Sequence, residues 1–99
     1  MIYVHGAEVG SERIGRRDGF YGIATAFKGG APAPIDRIEA GYRRLVAHAQ
    51  EHADEIFILP PLGVEAGQTA FSRREISEMV RRVGIPENVM LARTWLVDD

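Results

Sequence analysis

Glu55-Ile56-Phe57-Ile58-Leu59-Pro60-Pro61 is the stretch on which the reading of this chain turns. Its apolar residues run without alternation, as in a strand buried on both faces at the centre of a parallel sheet. Proline supplies no ladder donor, so Pro60 and Pro61 end that strand at Leu59. Downstream, Ser72 through Val83 reads as a helix. Ser72 is a good N-cap, Glu75 three residues later completes a capping box, and Gly84 is the stop. Ile76, Met79, Val80 and Val83 form one apolar stripe. Pro86-Glu87-Asn88 is a turn, Val89-Met90-Leu91 a last short strand, and Trp95 packs the C-terminal segment against the body.

Upstream, Pro34 to Ala53 reads as a second helix, with apolar residues at Ile35, Ile38, Tyr42, Leu45, Val46 and Ala49. Pro34 suits the first helical position, and Asp36 and Glu39 favour the early turns. Gly41 weakens that helix by roughly 1 kcal/mol against alanine, and leaves room for close packing on a strand. Phe20–Phe27 reads as a strand, Met1–Val4 as the first strand, and residues 5–19 as a glycine-punctuated loop. Strands alternating with helices imply right-handed parallel crossovers. The expected fold class is therefore α/β: one domain over residues 1–99, with a small, mostly parallel four-stranded sheet flanked by two helices.

The 99 residues carry 12 basic and 14 acidic side chains, so the net charge of -2 does not indicate binding to a nucleic-acid backbone. The absence of cysteine excludes disulfides, thiolate catalysis and cysteine metal sites. No apolar run is long enough to span a membrane. Met1–His5 lacks the basic region and long apolar region of a signal peptide, so the expected location is the cytoplasm. A core of this size is modest, and a homodimer is one way to complete it.

In parallel sheets, ligands bind beyond the carboxyl ends of the strands. Two glycine-containing loops are expected there, His5–Gly19 and Pro60–Phe71. In the second, Gly63 and Gly67 let backbone approach a ligand, and exposed N–H groups near Gln68 and Thr69 suit an anion. The same glycines also serve plain turn geometry. Neither a Walker lysine nor a dinucleotide fingerprint is present. His5 and Glu8 could titrate or act as a base, or simply pack. Arg13, Arg16 and Arg17 form a basic cluster that could hold phosphates or stand loosely among Glu8, Glu12 and Asp18. His48 and His52 lie four apart, a metal-binding spacing, but without a third ligand in view they read as a solvated helix face. No Ser/His/Asp arrangement and no pair of hydrolytic carboxylates can be picked out.

The order of segments resembles a family of small phage- and prophage-associated proteins with a macro-domain-like fold. The resemblance covers residues 1–6 and about 21–95. It rests on the opening strand Met1-Ile2-Tyr3-Val4-His5-Gly6, the strand Tyr21-Gly22-Ile23-Ala24-Thr25 and the helix from Pro34. It also rests on the run from Ile56 to Val89 with its Gly63-to-Gly67 loop. Macro domains bind ADP-ribose and related nucleotides, so the resemblance implies a nucleotide-type ligand at these loops. The chain departs from the family after Gly6, where Ala7-Glu8-Val9-Gly10 stands in place of an asparagine and a glycine-rich stretch, and a helix is missing. Glu8 and Glu65 add two carboxylates near the site.

The resulting expectation is a non-catalytic, macro-like nucleotide-binding module with no cofactor and no metal. Its ligand residues would be His5, Gly6, Glu8, Gly63, Glu65, Gly67, Gln68 and Thr69. The alternative is a small viral or prophage interaction protein that binds and inhibits a host protein in the bacterial cytoplasm. An enzyme such as an ADP-ribosyl hydrolase is the third reading, and no catalytic constellation supports it.

Overall fold

In the computed structural model, which describes residues 1–62 and 71–96, the first strand lies at the centre of the sheet. The elements are β1 (Ile2–Glu8), β2 (Gly15–Arg17), β3 (Phe20–Ala26), α1 (Ile35–Glu51), β4 (Phe57–Leu59), α2 (Arg73–Val83) and β5 (Val89–Leu91). A short 3-10 turn over Arg93–Leu96 follows. The spatial strand order is β2-β3-β1-β4-β5. The expected strands β1, β3, β4 and β5 are present and mutually parallel.

Two corrections concern the first loop. β1 does not end at Val4 but runs on to Glu8, paired with β3 from Tyr3 onward. Residues 15–17 form a fifth strand, antiparallel to the start of β3, so the sheet is mixed. Asp18 and Gly19 make the tight connection between them. Asp18 takes φ 48°, a left-handed conformation that aspartate tolerates better than most residues.

The third correction concerns β4. It lies inside the sheet, between β1 and β5, yet among the described residues the helices cover one of its faces only. Phe57 and Leu59 are fully buried, whereas Ile58 is half-buried and Ile56, just before the strand, is exposed. The reason is topological. The β3-to-β4 and β4-to-β5 crossovers step across the sheet in the same direction, so right-handedness puts α1 and α2 on the same face. The helices accordingly pack on each other, and α1 packs on β3. Between the helices and the sheet lies one core, in which Tyr42, Leu45, Phe57, Leu59, Ile76 and Met79 are completely excluded from solvent.

Gly41 has the packing role its position suggests. A Cβ there would come within 2.7 Å of Ile23 Cγ2, so the glycine sets how closely α1 approaches β3. One turn of polar chemistry closes each end of the layer. Tyr42 donates its hydroxyl to Gly84 O at 2.7 Å, and burial pushes its pKa up to about 12. Glu39 joins the helices by accepting from Arg82 and Arg43, which hold its carboxyl below the usual range. Trp95 does pack against the body, donating Nε1–H to Leu59 O at 2.6 Å. No helix among the described residues is long and apolar enough to cross a membrane.

The helices start differently. α1 has Pro34 as an extended N-cap without a side-chain cap, one position earlier than a first helical residue. α2 has the full capping box: Ser72 Oγ accepts from Glu75 N at 3.2 Å, and Glu75 Oε1 accepts from Ser72 N at 3.1 Å. Ser72→Ala is expected to destabilise the domain by about 0.5–2 kcal/mol, read as a lower denaturant midpoint at unchanged slope. Asn88 offers a larger effect. Its Nδ2 donates to the carbonyls of Ala49, His52 and Glu55 at 2.8, 3.1 and 3.0 Å. Asn88→Ala should cost about 1–3 kcal/mol in the same melts, because several carbonyls lose their donor at once.

Candidate functional site

Among the described residues, one loop crosses the face opposite the helices. The β1-to-β3 connection steps the opposite way across the sheet, so a right-handed path takes it over that second face. Gly22 records the crossing. Its Cα faces away from the helices, and a Cβ there would collide with the Arg13 carbonyl and lie 3.1 Å from His5 Cε1. The loop therefore rests on the sheet at a position only glycine can occupy.

Beside this loop a cavity of about 290 Å³ is lined by His5, Arg13, Arg17, Asp18 and Phe20. Phe20 is 54% exposed, and its ring centroid lies 6.1 Å from that of His5 and 6.5 Å from that of Tyr3. Pairing of Arg17 with Phe20 and of Phe20 with Tyr3 sets these side chains in one row across three strands. His5 Nδ1 donates to Gly6 O at 3.0 Å. Arg17 Nη1 donates to Glu12 O at 2.8 Å and keeps its remaining donors. The Arg13 guanidinium has no hydrogen-bond or ion-pair partner among the described residues. Residues that carry an aromatic ring, an imidazole, two guanidinium groups and one carboxylate thus line a single concave surface.

On the other side of the same loop, at the carboxyl ends of β1 and β3, a second cavity of about 420 Å³ is lined by Glu8, Val9, Gly10, Ser11, Arg13 and Lys28. Arg13 borders both. Here Glu8 stands opposite two cationic side chains, which offset its repulsion toward an anion.

The expected site residues are dispersed by this geometry. His5 enters the open-face cavity and Glu8 the second one. Gly6 lines neither; a Cβ there would meet Thr25 Oγ1 at 2.5 Å, so this glycine makes room for the neighbouring strand's threonine. Gly63, Glu65, Gly67, Gln68 and Thr69 lie outside the described residues. The strand ends from which the two loops leave are neighbours, since β1 and β4 pair in parallel. They are staggered, however: Ile58 pairs with Tyr3, so β4 leaves the sheet while β1 still has several residues to run. The basic cluster is also split. Arg16 and Arg17 are successive strand residues that point to opposite faces, and Arg16 turns to the helix side, where it binds Glu55. Phe20, Asp18 and Arg17 were not singled out as one site from the sequence; the Asp18-Gly19 turn, a hairpin dipeptide, is the signal that would have brought them together.

Gly22→Ala tests whether the loop's seat shapes the site. The new methyl group meets rigid backbone, so the loop over residues 9–14 must lift. Faster amide exchange in that loop is expected, with a stability loss of about 1–3 kcal/mol. Gly6→Ala is the contrasting variant: it meets a rotatable threonine hydroxyl and should leave exchange in the loop near the wild-type rate.

Compared with known proteins, the chain matches no family model, no curated protein and no solved structure.

Proposed function

We propose that this chain is a non-catalytic binding module, macro-like in kind, for a nucleotide-type ligand seated on the open face of the sheet. The observation that carries the reading is the joint presence of Phe20, Arg13 and Arg17 around one cavity on an otherwise sparsely covered face. A nucleobase stacks on the Phe20 ring, with Tyr3 and His5 beside it. Phosphate oxygens take the unpaired Arg13 guanidinium and the free donors of Arg17. Asp18 and His5 Nε2 accept from base or sugar donors. The cavity of about 290 Å³ suits a mononucleotide, and a longer diphosphate such as ADP-ribose reaches past Arg13 into the cavity of Glu8 and Lys28. Among the described residues no hydrogen bond joins a nucleophile to a base in either cavity, and the reading is therefore binding without turnover.

Calorimetric titration with AMP, ADP, ADP-ribose and NAD tests this. Phe20→Ala should weaken the preferred ligand by about 1–3 kcal/mol, a five- to 150-fold loss. Arg13→Ala should weaken the phosphorylated ligands and leave adenosine unchanged. Glu8→Gln should tighten ADP-ribose more than AMP, because only the longer anion reaches the second cavity. Unchanged affinity in both Phe20→Ala and Arg13→Ala, or no nucleotide bound by the wild type, would overturn the reading.

One observation favours the alternative of an interaction protein. Phe20, Tyr3, Ile58 and Met90 are in register across four strands, and Phe20, Tyr3 and Met90 are each more than half exposed. Such a row is the kind of apolar surface a protein partner covers. Met90→Ser, at the end of the row farthest from Phe20, should then weaken partner binding and spare nucleotide binding.

A further inference from the structure

The end of α1 carries a second group of side chains, on the helix side of the sheet. His48 and His52 lie one turn apart, and Glu55 follows just beyond the helix. One ligand atom from each lies within 4.8 Å of the others. Arg16 reaches into this group from β2. Its Nη1 is 3.3 Å from His48 Nε2 and 2.9 Å from Glu55 Oε1, and its Nη2 is 2.8 Å from Oε2.

These contacts assign roles to the ring nitrogens. A His48 Nε2 that faces a guanidinium N–H is an acceptor, so the imidazole is neutral with its proton on Nδ1. Burial, aided by His52 and Arg16, holds His48 below the ordinary imidazole range. His52 donates Nδ1–H to His48 O at 2.8 Å, so Nε2 is the nitrogen left to ligate. A backbone carbonyl holding one ring nitrogen while the other stays open is the outer-shell arrangement typical of metal-binding histidines. The backbone beneath is pinned as well, since Asn88 donates to the carbonyls of Ala49, His52 and Glu55.

We propose that His48, His52 and Glu55 form a site for a zinc-type divalent cation, which competes with the Arg16 guanidinium for the same acceptors. Arg16 Nη1 marks where positive charge is already accepted, between an imidazole nitrogen and a carboxylate oxygen. A zinc ion near that point needs ligand distances of about 2.0–2.2 Å, so the side chains close in by roughly 1 Å. Two imidazoles and a carboxylate suit zinc, cobalt or nickel, whereas magnesium and calcium prefer all-oxygen sets. Because Arg16 belongs to β2, metal entry also releases the tie between that edge strand and the end of α1.

Titration of the whole chain with zinc chloride near neutral pH, followed by calorimetry, is the direct test. Cobalt(II) absorption reports coordination geometry independently. The wild type should bind one zinc and no magnesium, and His52→Ala should lose that binding. Arg16→Met, which removes the competing cation and keeps a long side chain, should bind zinc more tightly than the wild type. Far-UV spectra of each variant separate a lost ligand from a lost fold, and His52 is the variant of choice because His48 also packs on Tyr21 and Phe57. Zinc bound equally by wild type and a folded His52→Ala, or bound by neither wild type nor Arg16→Met, overturns the proposal.

Discussion

The handedness of parallel crossovers governs this molecule. Two successive crossovers in the same direction commit both helices to one face, and the single crossover in the opposite direction is too short to place a helix on the other. Among the described residues, what lies on the second face is a loop whose Arg13 carbonyl sits on Gly22. Fully burying a large apolar side chain is worth about 1.5–3 kcal/mol, so leaving Tyr3, Phe20 and Met90 half uncovered forgoes several such contributions. A parallel sheet open on one side is therefore an arrangement with surface to use, and the cavity beside the loop is where polar groups gather on it.

With one hydrophobic layer, the ends of that layer matter more. The sides are held by apolar contact and the ends by directed hydrogen bonds: Tyr42 to Gly84 between the helices, Asn88 under the end of α1, Trp95 to the last carbonyl of β4. The capping follows the same logic. α1 has 17 residues and a deep apolar stripe, and it begins on Pro34 without a side-chain cap. α2 has 11 residues, short enough to be marginal on propensity alone, and it has both halves of a capping box.

The elements legible in the sequence were those with a strong local signal. Ser72 and Glu75 announced the start of α2, Gly84 its end, and Gly41 a close approach to a strand. The illegible parts depended on partners far away in sequence. β2 is Gly15-Arg16-Arg17, with no apolar alternation, so only the Asp18-Gly19 turn hinted at it. The extension of β1 through His5 and Gly6 looked like loop because its glycine serves Thr25 on the next strand. The run Ile56–Leu59 is apolar on both sides, yet Ile56 and Ile58 face outward; hydrophobicity alone does not say whether a second layer exists. Glu55 reads as the start of a strand, and nothing local in the sequence places it beside His48 and His52, seven and three residues before it. The candidate cavity suffered most, because Arg17, Asp18 and Phe20 meet His5 only through the register of a hairpin that was not foreseen.

The three arginines of the first loop show why net charge is a poor guide to what this face binds. In sequence they form one cluster; in the fold, strand alternation sends Arg16 to the helix side and Arg17 to the open side. Arg16 is neutralised there by a bidentate pair with Glu55, and that hydrogen-bonded pairing raises its pKa and lowers that of the carboxylate. It contributes nothing to an anion on the opposite face. Arg13 and Arg17 remain, against the single carboxylate of Asp18, beside an exposed phenyl ring. A chain with net charge -2 thus presents a locally cationic and aromatic surface. Screening confines such a field to roughly 8 Å at physiological salt, so an anion brought to this face would sense these few groups and not the sum over the chain.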